Sequence, residues 1–236
     1  MNPSLIGEGA IWYVAFLLSL TLHEAGHALA AWWGGDDTAY RGGQVSLNPF
    51  PHIRREPFGT VVLPLLSFFS SGWMMGWAST PFDPVWAVRH PRRQAAMSAA
   101  GPLANFSLAL LAFLALRLLL SYGVLEIPLQ LRFTALAAPP DGTAGNSPLV
   151  PLAMFLSVLL NLNVLLGLFN LVPLPPLDGA GVFEGLAPTR AGRLLGLLRE
   201  SPAISLLCLL VAWKLFGYVA MPALRLVVGF LYPMLG

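Results

Sequence analysis

Long apolar runs separated by short polar loops dominate the pattern of this chain. A spanning helix needs about 20 apolar residues, and four runs are long enough to supply one. They cover about 11–33, 95–121, 151–177 and 202–235. A fifth run at 58–77 is interrupted by Pro64 and Gly72. The pattern predicts an all-α polytopic membrane protein with five to six transmembrane or re-entrant helices, the last run forming a C-terminal helical hairpin.

The polar stretch 40–53, between the apolar runs at 11–33 and 58–77, has a different period of polar and apolar side chains. Its residues 44–48 alternate between polar and apolar side chains, as a β-strand does. Gly42-Gly43 and Pro49 bound the alternation. Strand backbone at membrane depth is tolerated only against protein or in a water-filled cavity. We therefore expect a small membrane-associated β element at about 40–53.

The composition narrows the class of protein. Hydrophobic residues make up 56% of the 236 positions and charged residues only 10%, against about 25% in a soluble domain. We expect one integral membrane domain over 1–236, with its core at 11–180. The net charge is only +2 and no basic helix is interleaved with aromatic residues, which argues against nucleic-acid binding. Cys208 is the only cysteine, which excludes an intrachain disulfide and a cysteine-rich zinc site.

The first apolar run contains two histidines and a glutamate. His23, Glu24 and His27 form an HExxH pattern, in which the histidines share one helix face and the glutamate stands beside the metal they bind. Ionisable side chains are costly inside a bilayer and are functional there by default. A divalent cation would compensate for their burial. The pattern predicts a metal site within a membrane helix.

A catalytic zinc usually has three protein ligands and an open fourth position, so a third ligand must come from elsewhere. The candidates are His52, His90, Asp83, Glu126, Asp178 and Glu184. Asp178 is favoured because it follows Pro173, Pro175 and Pro176, which end a helix and free its carbonyl groups. Histidine together with carboxylate favours zinc over magnesium or calcium, which prefer oxygen ligands.

Three motifs in order resemble the site-2 protease family of intramembrane zinc metalloproteases. They are the HExxH run at 23–27, the Gly-Pro-x-x-Asn run at 101–105, and a proline-rich run from Asn170 to Asp178-Gly179. A lone HExxH often arises by chance, whereas all three in order within apolar segments are highly specific. The chain resembles the compact branch, without PDZ or nucleotide-sensing domain. The apolar run at 58–77 is a departure, because members with a minimal three-helix core lack it.

The resemblance implies a role for each motif. His23, His27 and Asp178 would hold one catalytic Zn²⁺ per chain, with Glu24 as general base. The implied activity is hydrolysis of a peptide bond in or near a transmembrane segment of a membrane-protein substrate. The strand expected at 44–48 could hold such a substrate, once unwound, by edge pairing.

Each of three further residues fits more than one role. By resemblance, Asn105 and Asn170 would lie near the substrate or the developing oxyanion, but they could instead be structural groups that join helices. His52 could be a gate, an outer-shell partner or an extra ligand, and a solvated loop histidine is equally compatible with its position.

A different class of function also fits a metal site in a membrane. A non-catalytic metal-binding membrane protein or a transporter would use discontinuous helices of the kind that the prolines before Asp178 indicate. Against that alternative, no internal repeat is visible, and Glu24 would have no role in transport.

The motifs and the arginines indicate one topology. A single metal requires the three motifs at one membrane depth, which holds if 58–77 is a re-entrant hairpin with no net crossing. Every loop arginine except Arg132 then lies on one side, and these are Arg41, Arg54, Arg55, Arg89, Arg92, Arg93, Arg190, Arg193 and Arg199. The positive-inside tendency makes that side cytoplasmic. We expect the protein to lie in a bacterial plasma (inner) membrane with its active site toward the cytoplasm. Its expected partners are the bilayer and a membrane-protein substrate. The sequence indicates no oligomeric state.

Overall fold

Helices account for nearly all regular structure in the computed structural model, which describes residues 3–140, 147–187, 195–199 and 201–233. In chain order they are α1 (Pro3–Trp33), α2 (Thr38–Arg41), α3 (Phe50–Arg55), a π-helical turn (Phe58–Val62) continued by α4 (Leu63–Ser71), α5 (Pro84–Arg89), α6 (Pro91–Ser121), α7 (Leu149–Asn170), α8 (Asp178–Leu186) and α9 (Pro202–Leu231). Among the helices of these described residues, four are long and apolar enough to cross a membrane, namely α1, α6, α7 and α9. The predicted all-α polytopic membrane fold is confirmed.

The helices α1, α6 and α7 pack together at the centre of the protein. Phe16 of α1, Leu116 of α6 and Val158 of α7 are buried members of one apolar core. Small residues let the helix backbones approach closely. A Cβ atom added at Gly26 would lie 2.9 Å from the carbonyl oxygen of Ala100, so glycine is needed where α1 meets α6.

The interrupted apolar run forms a helix followed by a returning chain. The helix at 58–71 ends at Gly72, whose φ of +71° lies in the left-handed region that favours glycine. The chain then returns without regular structure, and the Trp77 N–H donates to the Gly59 carbonyl at 3.1 Å. The helix rises about 21 Å, less than the roughly 30 Å apolar core of a bilayer. Both ends of the segment therefore lie side by side, as a re-entrant hairpin requires.

The β element expected at 40–53 is not formed, and that prediction is wrong. The stretch contains α2, a turn at Gly43 with φ of +73°, and α3. Ser46 Oγ and Asn48 Oδ1 each accept a hydrogen bond at 3.0 Å from the backbone N–H two residues further on. Bonds of this kind compete with sheet pairing, so the alternating pattern produces a series of turns.

The C-terminal run is one helix, and the expected helical hairpin is wrong. α9 has 30 residues and contains Pro222 without a break. Proline removes one backbone hydrogen bond, but a break inside lipid would leave several backbone groups without partners. The residues next to Pro222 in the sequence are apolar, so their side chains could not satisfy such backbone groups. Residues 234 and 235 of the expected hairpin lie outside the described residues, as do Arg190 and Arg193.

Candidate active site

Three side chains from different parts of the chain meet at one point inside the bundle. His23 and His27 lie on successive turns of α1, and Asp178 is the first residue of α8. The two Nε2 atoms are 3.0 Å apart. Asp178 Oδ2 lies 3.1 Å from His23 Nε2, and Asp178 Oδ1 lies 3.3 Å from His27 Nε2. This cluster, called the metal cradle below, could hold a metal ion.

The hydrogen bonds of the imidazoles determine which nitrogen faces the centre of the cradle. His23 Nδ1 lies 2.6 Å from Asn105 Oδ1, and His27 Nδ1 lies 2.7 Å from the carbonyl oxygen of Met97. Both oxygens can only accept, so each Nδ1 carries the proton and each Nε2 presents its lone pair. Asp178 Oδ2 receives no hydrogen bond from the described residues. Three electron-pair donors therefore converge with no proton between them.

A zinc ion fits this arrangement. Zinc bonds histidine nitrogen at about 2.0–2.1 Å, so tetrahedral ligand atoms lie about 3.3–3.4 Å apart. The cradle distances of 3.0 to 3.3 Å are close to that spacing. His23 and His27 are only 7% and 6% exposed, so bulk water cannot satisfy the lone pairs that converge there. Three protein ligands and an open fourth position are typical of catalytic zinc.

Gly101 of the Gly-Pro-x-x-Asn motif provides the space for this ion. A Cβ atom at Gly101 would lie 2.3 Å from His27 Nε2 and 2.7 Å from His23 Nε2. Any side chain there would therefore occupy the point on which the imidazoles converge. The motif brings the backbone of α6 directly against the metal cradle.

Asp178 is brought to the metal cradle by the break between α7 and α8. α7 ends at Asn170, and residues 171–177 form turns before α8 begins. A Cβ atom at Gly181 or Gly185 would come within 2.3 Å of an atom of α6. These glycines let α8 lie against α6 and hold the carboxylate beside the histidines.

Glu24 lies next to the metal cradle but is not one of its members. It is only 4% exposed. The Thr80 hydroxyl lies 2.7 Å from Glu24 Oε2 and 3.0 Å from the Glu24 carbonyl oxygen. Thr80 follows the returning chain after Gly72, and no sequence motif singled it out. The hydroxyl thus orients a buried carboxylate that stays outside the ligand cluster.

The two asparagines predicted near the substrate have different positions. Asn105 is fully buried, its Oδ1 faces His23, and its Nδ2 donates to Asn163 Oδ1 at 2.8 Å. Both ends of its amide are engaged, so Asn105 orients His23 and has no free group for a substrate. Asn170 donates at 3.0 Å to the Leu166 carbonyl, one turn back in its own helix.

His52 is buried, which rules out a solvated loop histidine. It is 1% exposed, its Nε2 lies 3.4 Å from the Ser46 carbonyl oxygen, and its Nδ1 finds no hydrogen-bond partner among the described residues. Burial lowers the pKa of His52 below its ordinary value, while the Ser46 carbonyl and the charge of Glu24 oppose this only in part. His52 does not belong to the metal cradle.

The remaining candidate ligands have other contacts. His90 Nδ1 lies 3.1 Å from the Trp86 carbonyl oxygen, and Asp83 caps α5 by accepting from the Val85 N–H. Glu184 pairs with Arg199 at 3.4 Å. Within the described parts of the chain, the metal cluster contains only His23, His27 and Asp178.

Asn163 is a buried polar residue beside the site that sequence reasoning missed. It is fully buried in α7 and bonded to Asn105. One signal was available, because Asn161 and Asn163 interrupt an otherwise apolar run, and polar side chains in membrane helices commonly join helices.

Comparison with known proteins agrees with this geometry. A sequence model of peptidase family M50 matches residues 11–211. A Bacillus subtilis protein with the provisional name zinc metalloprotease YwhC is 34% identical over 213 residues, which cover 90% of this chain and 84% of that protein. A Mycobacterium tuberculosis (strain H37Rv) protein provisionally named zinc metalloprotease Rip2 is 31% identical over 206 residues, covering 86% and 67% respectively. No solved structure gives a significant match.

Proposed function

The chain belongs to peptidase family M50, and we propose that it cleaves a peptide bond in or near a transmembrane segment of another membrane protein. It is a zinc metalloendopeptidase and an integral membrane protein. One observation carries the proposal: His23, His27 and Glu24 are buried on a long apolar helix, with the half-buried Asp178 beside them. A peptide reaches such a site most directly from the bilayer.

Each residue of the site has one role in this proposal. His23, His27 and Asp178 would hold one Zn²⁺ per chain, and the bound ion would lower the pKa of water toward about 7 and polarise a carbonyl group. Glu24 accepts a proton from the attacking water and passes it to the leaving nitrogen. Thr80 holds the carboxylate of Glu24 toward the reacting atoms through its hydroxyl.

The buried position of the site restricts its substrate. A peptide bond within a helix is shielded by its own turn, so the substrate must unwind before Glu24 and water can reach it. His52 is proposed to contact the unwound backbone, because its neutral imidazole is buried and keeps Nδ1 unpaired among the described residues. The segment at 38–83 contributes both Thr80 and His52, so we assign substrate access to that region.

The experiment that tests the function is cleavage of a model transmembrane substrate in lipid vesicles. Glu24→Gln should retain one zinc per chain by elemental analysis and lose cleavage by about 10²–10⁴-fold, because the amide cannot accept a proton. Glu8→Gln is the matched control, since Glu8 lies exposed on the same helix. Cleavage by Glu24→Gln at the wild-type rate would refute the proposal, and so would wild-type protein that binds zinc but leaves every transmembrane substrate intact.

We also propose that the segment 58–77 is re-entrant and that the site faces the cytoplasm across a bacterial plasma membrane. The adjacent ends of the segment support this. In a Cys208→Ser background, single cysteines at the exposed positions Thr38, Val88 and Tyr122 are probed with a membrane-impermeant thiol reagent. Positions 38 and 88 should react only in opened membranes, and position 122 in intact cells. Labelling at position 88 in intact cells would mean that the segment crosses the bilayer.

A further inference from the structure

A buried row of hydrogen bonds runs from α7 through α6 to the metal cradle. We propose that Asn163 is a positioning residue for His23, which it holds through Asn105 in the tautomer that metal binding needs. The inference rests on the proposed role of His23 as a metal ligand. The inference is tested by measuring metal affinity, so it can fail independently of the proposed proteolysis.

The first step concerns what His23 requires. Its Nε2 can bind a metal only if Nδ1 carries the proton, and Asn105 Oδ1 at 2.6 Å is the acceptor for that proton. An asparagine amide has an oxygen and a nitrogen of nearly equal size. If Asn105 turned over, its NH₂ group would face Nδ1 and favour the tautomer with the proton on Nε2. Something must therefore keep the Asn105 amide in its present orientation.

Asn163 supplies that constraint. Its Oδ1 accepts a hydrogen bond from Asn105 Nδ2 at 2.8 Å, whereas the other acceptor of that Nδ2, the Ser19 carbonyl, lies at a longer 3.4 Å. Its own amide cannot turn over, because Asn163 Nδ2 donates to the Leu159 carbonyl at 2.7 Å and to Ser19 Oγ at 2.8 Å. Ser19 Oγ in turn donates to the Ala15 carbonyl at 2.7 Å. Two backbone carbonyls, which can only accept, thus set the direction of the whole row.

His27 shows how a histidine can be oriented without such a row of side chains. His27 Nδ1 donates directly to the Met97 carbonyl, which is backbone and cannot reverse its polarity. His23 has a side-chain amide as acceptor, so its acceptor needs a fixed orientation. Asn105, Asn163 and Ser19 are all 0% exposed, so water cannot take over any of these bonds. Asn163 does for His23 what the backbone does for His27.

The test compares two asparagines of the same helix in the full-length protein. Asn163→Leu removes the acceptor for Asn105, whereas Asn161→Leu removes a buried amide that donates to the Phe133 carbonyl at 2.8 Å and has no described bond to the row. Zinc dissociation constants are measured by chelator competition, and the ligand field is followed by the visible spectrum of the Co²⁺ form. Asn163→Leu should weaken zinc binding by about 10–100-fold, and Asn161→Leu should leave it unchanged.

A milder pair of variants covers the case in which Asn163→Leu does not fold. Ser19 and Ser157 are both fully buried, and each donates to the carbonyl four residues back at 2.7 Å. Ser19 accepts from Asn163, whereas Ser157 accepts from the Leu136 N–H at 2.9 Å, away from the row. Ser19→Ala should weaken zinc binding by a smaller factor, about threefold, while Ser157→Ala should not.

The outcomes separate a positioning role from a structural one. Weaker zinc binding and an altered Co²⁺ spectrum in only the first member of each pair support the proposal. Equal zinc affinity in Asn163→Leu and Asn161→Leu overturns it. If neither folds, equal affinity in Ser19→Ala and Ser157→Ala overturns it. Absence of proteolysis by the wild-type protein would refute the proposed function and leave this result standing.

Discussion

The metal cradle and residues 38–83, called the covering segment below because its Thr80 bonds to Glu24 beside the cradle, are held in place in opposite ways. The cradle lies on the long helix α1 and the start of α8, and both helices pack against α6 through glycines. The covering segment consists of short helices and irregular chain. Its middle and its last part are joined by side chains, since the Ser79 hydroxyl donates to Glu56 Oε1 at 2.7 Å and accepts from Arg55 Nε at 3.1 Å.

The polar groups of the two regions differ in the same way. In the row that supports His23, the amides of Asn105 and Asn163 and the Ser19 hydroxyl are all hydrogen-bonded. In the covering segment, the buried atoms Gln44 Oε1 and His52 Nδ1 have no partner among the described residues. Unpaired buried polar atoms cost free energy, and a substrate could satisfy them. The difference suggests a rigid site for chemistry beneath an adjustable region for access.

The largest expected effect tests the rigidity of the metal cradle. Gly101→Ala should reduce zinc content and cleavage by at least about 10²-fold, because its Cβ atom would lie 2.3 Å from His27 Nε2 and misplacement on that scale costs about this factor. Gly217→Ala is the control, since a Cβ atom there meets nothing within 4 Å. Full zinc occupancy in Gly101→Ala would show that the cradle can shift.

The next effect belongs to the contact between the two regions. Thr80→Val should lower kcat by about tenfold with zinc retained, because one hydrogen bond to a charged group is lost. Thr80→Ser keeps the hydroxyl and should restore most of the rate. Equal losses in Thr80→Val and Thr80→Ser would mean that packing, not the hydrogen bond to Glu24, explains the effect.

A smaller effect is expected within the covering segment. His52→Leu should lower kcat/KM by a factor of up to about ten, the worth of one hydrogen bond to substrate, while zinc content stays at one per chain. His90→Leu is the control, because His90 lies just before α6 and bonds to the Trp86 carbonyl of the preceding helix α5. Loss of zinc from His52→Leu would assign His52 to the metal and not to substrate access.

The smallest effect is expected at Asn170. Its amide bonds within α7, and a hydrogen bond of a side chain in a membrane helix contributes about 0.6 kcal/mol on average. Asn170→Ala should therefore change cleavage by no more than about threefold, measured on the same vesicle substrate. A loss of about tenfold or more, the worth of one hydrogen bond to substrate, would place Asn170 at the substrate.

Sequence alone determined the membrane class and the chemistry of the central helix. The length of an apolar run decides whether a helix can cross lipid, and the helical repeat places His23 and His27 on one face whatever the rest of the chain does. Asp178 could be singled out because few ionisable groups occur in apolar surroundings. The sequence could not distinguish a strand at 44–48 from a series of turns, because turns that use Ser46 and Asn48 satisfy the backbone hydrogen bonds equally well.

Tertiary structure decided what surrounds that chemistry. Thr80 meets Glu24 across 56 positions, Asn105 meets Asn163 across 58, and Asn163 meets Ser19 across 144. A hydropathy pattern says which segments are buried, but it carries no information about which polar atoms face each other over such separations. The two pairings of Asn163 follow from the close packing of α1, α6 and α7, where a buried polar group must find a partner on a neighbouring helix.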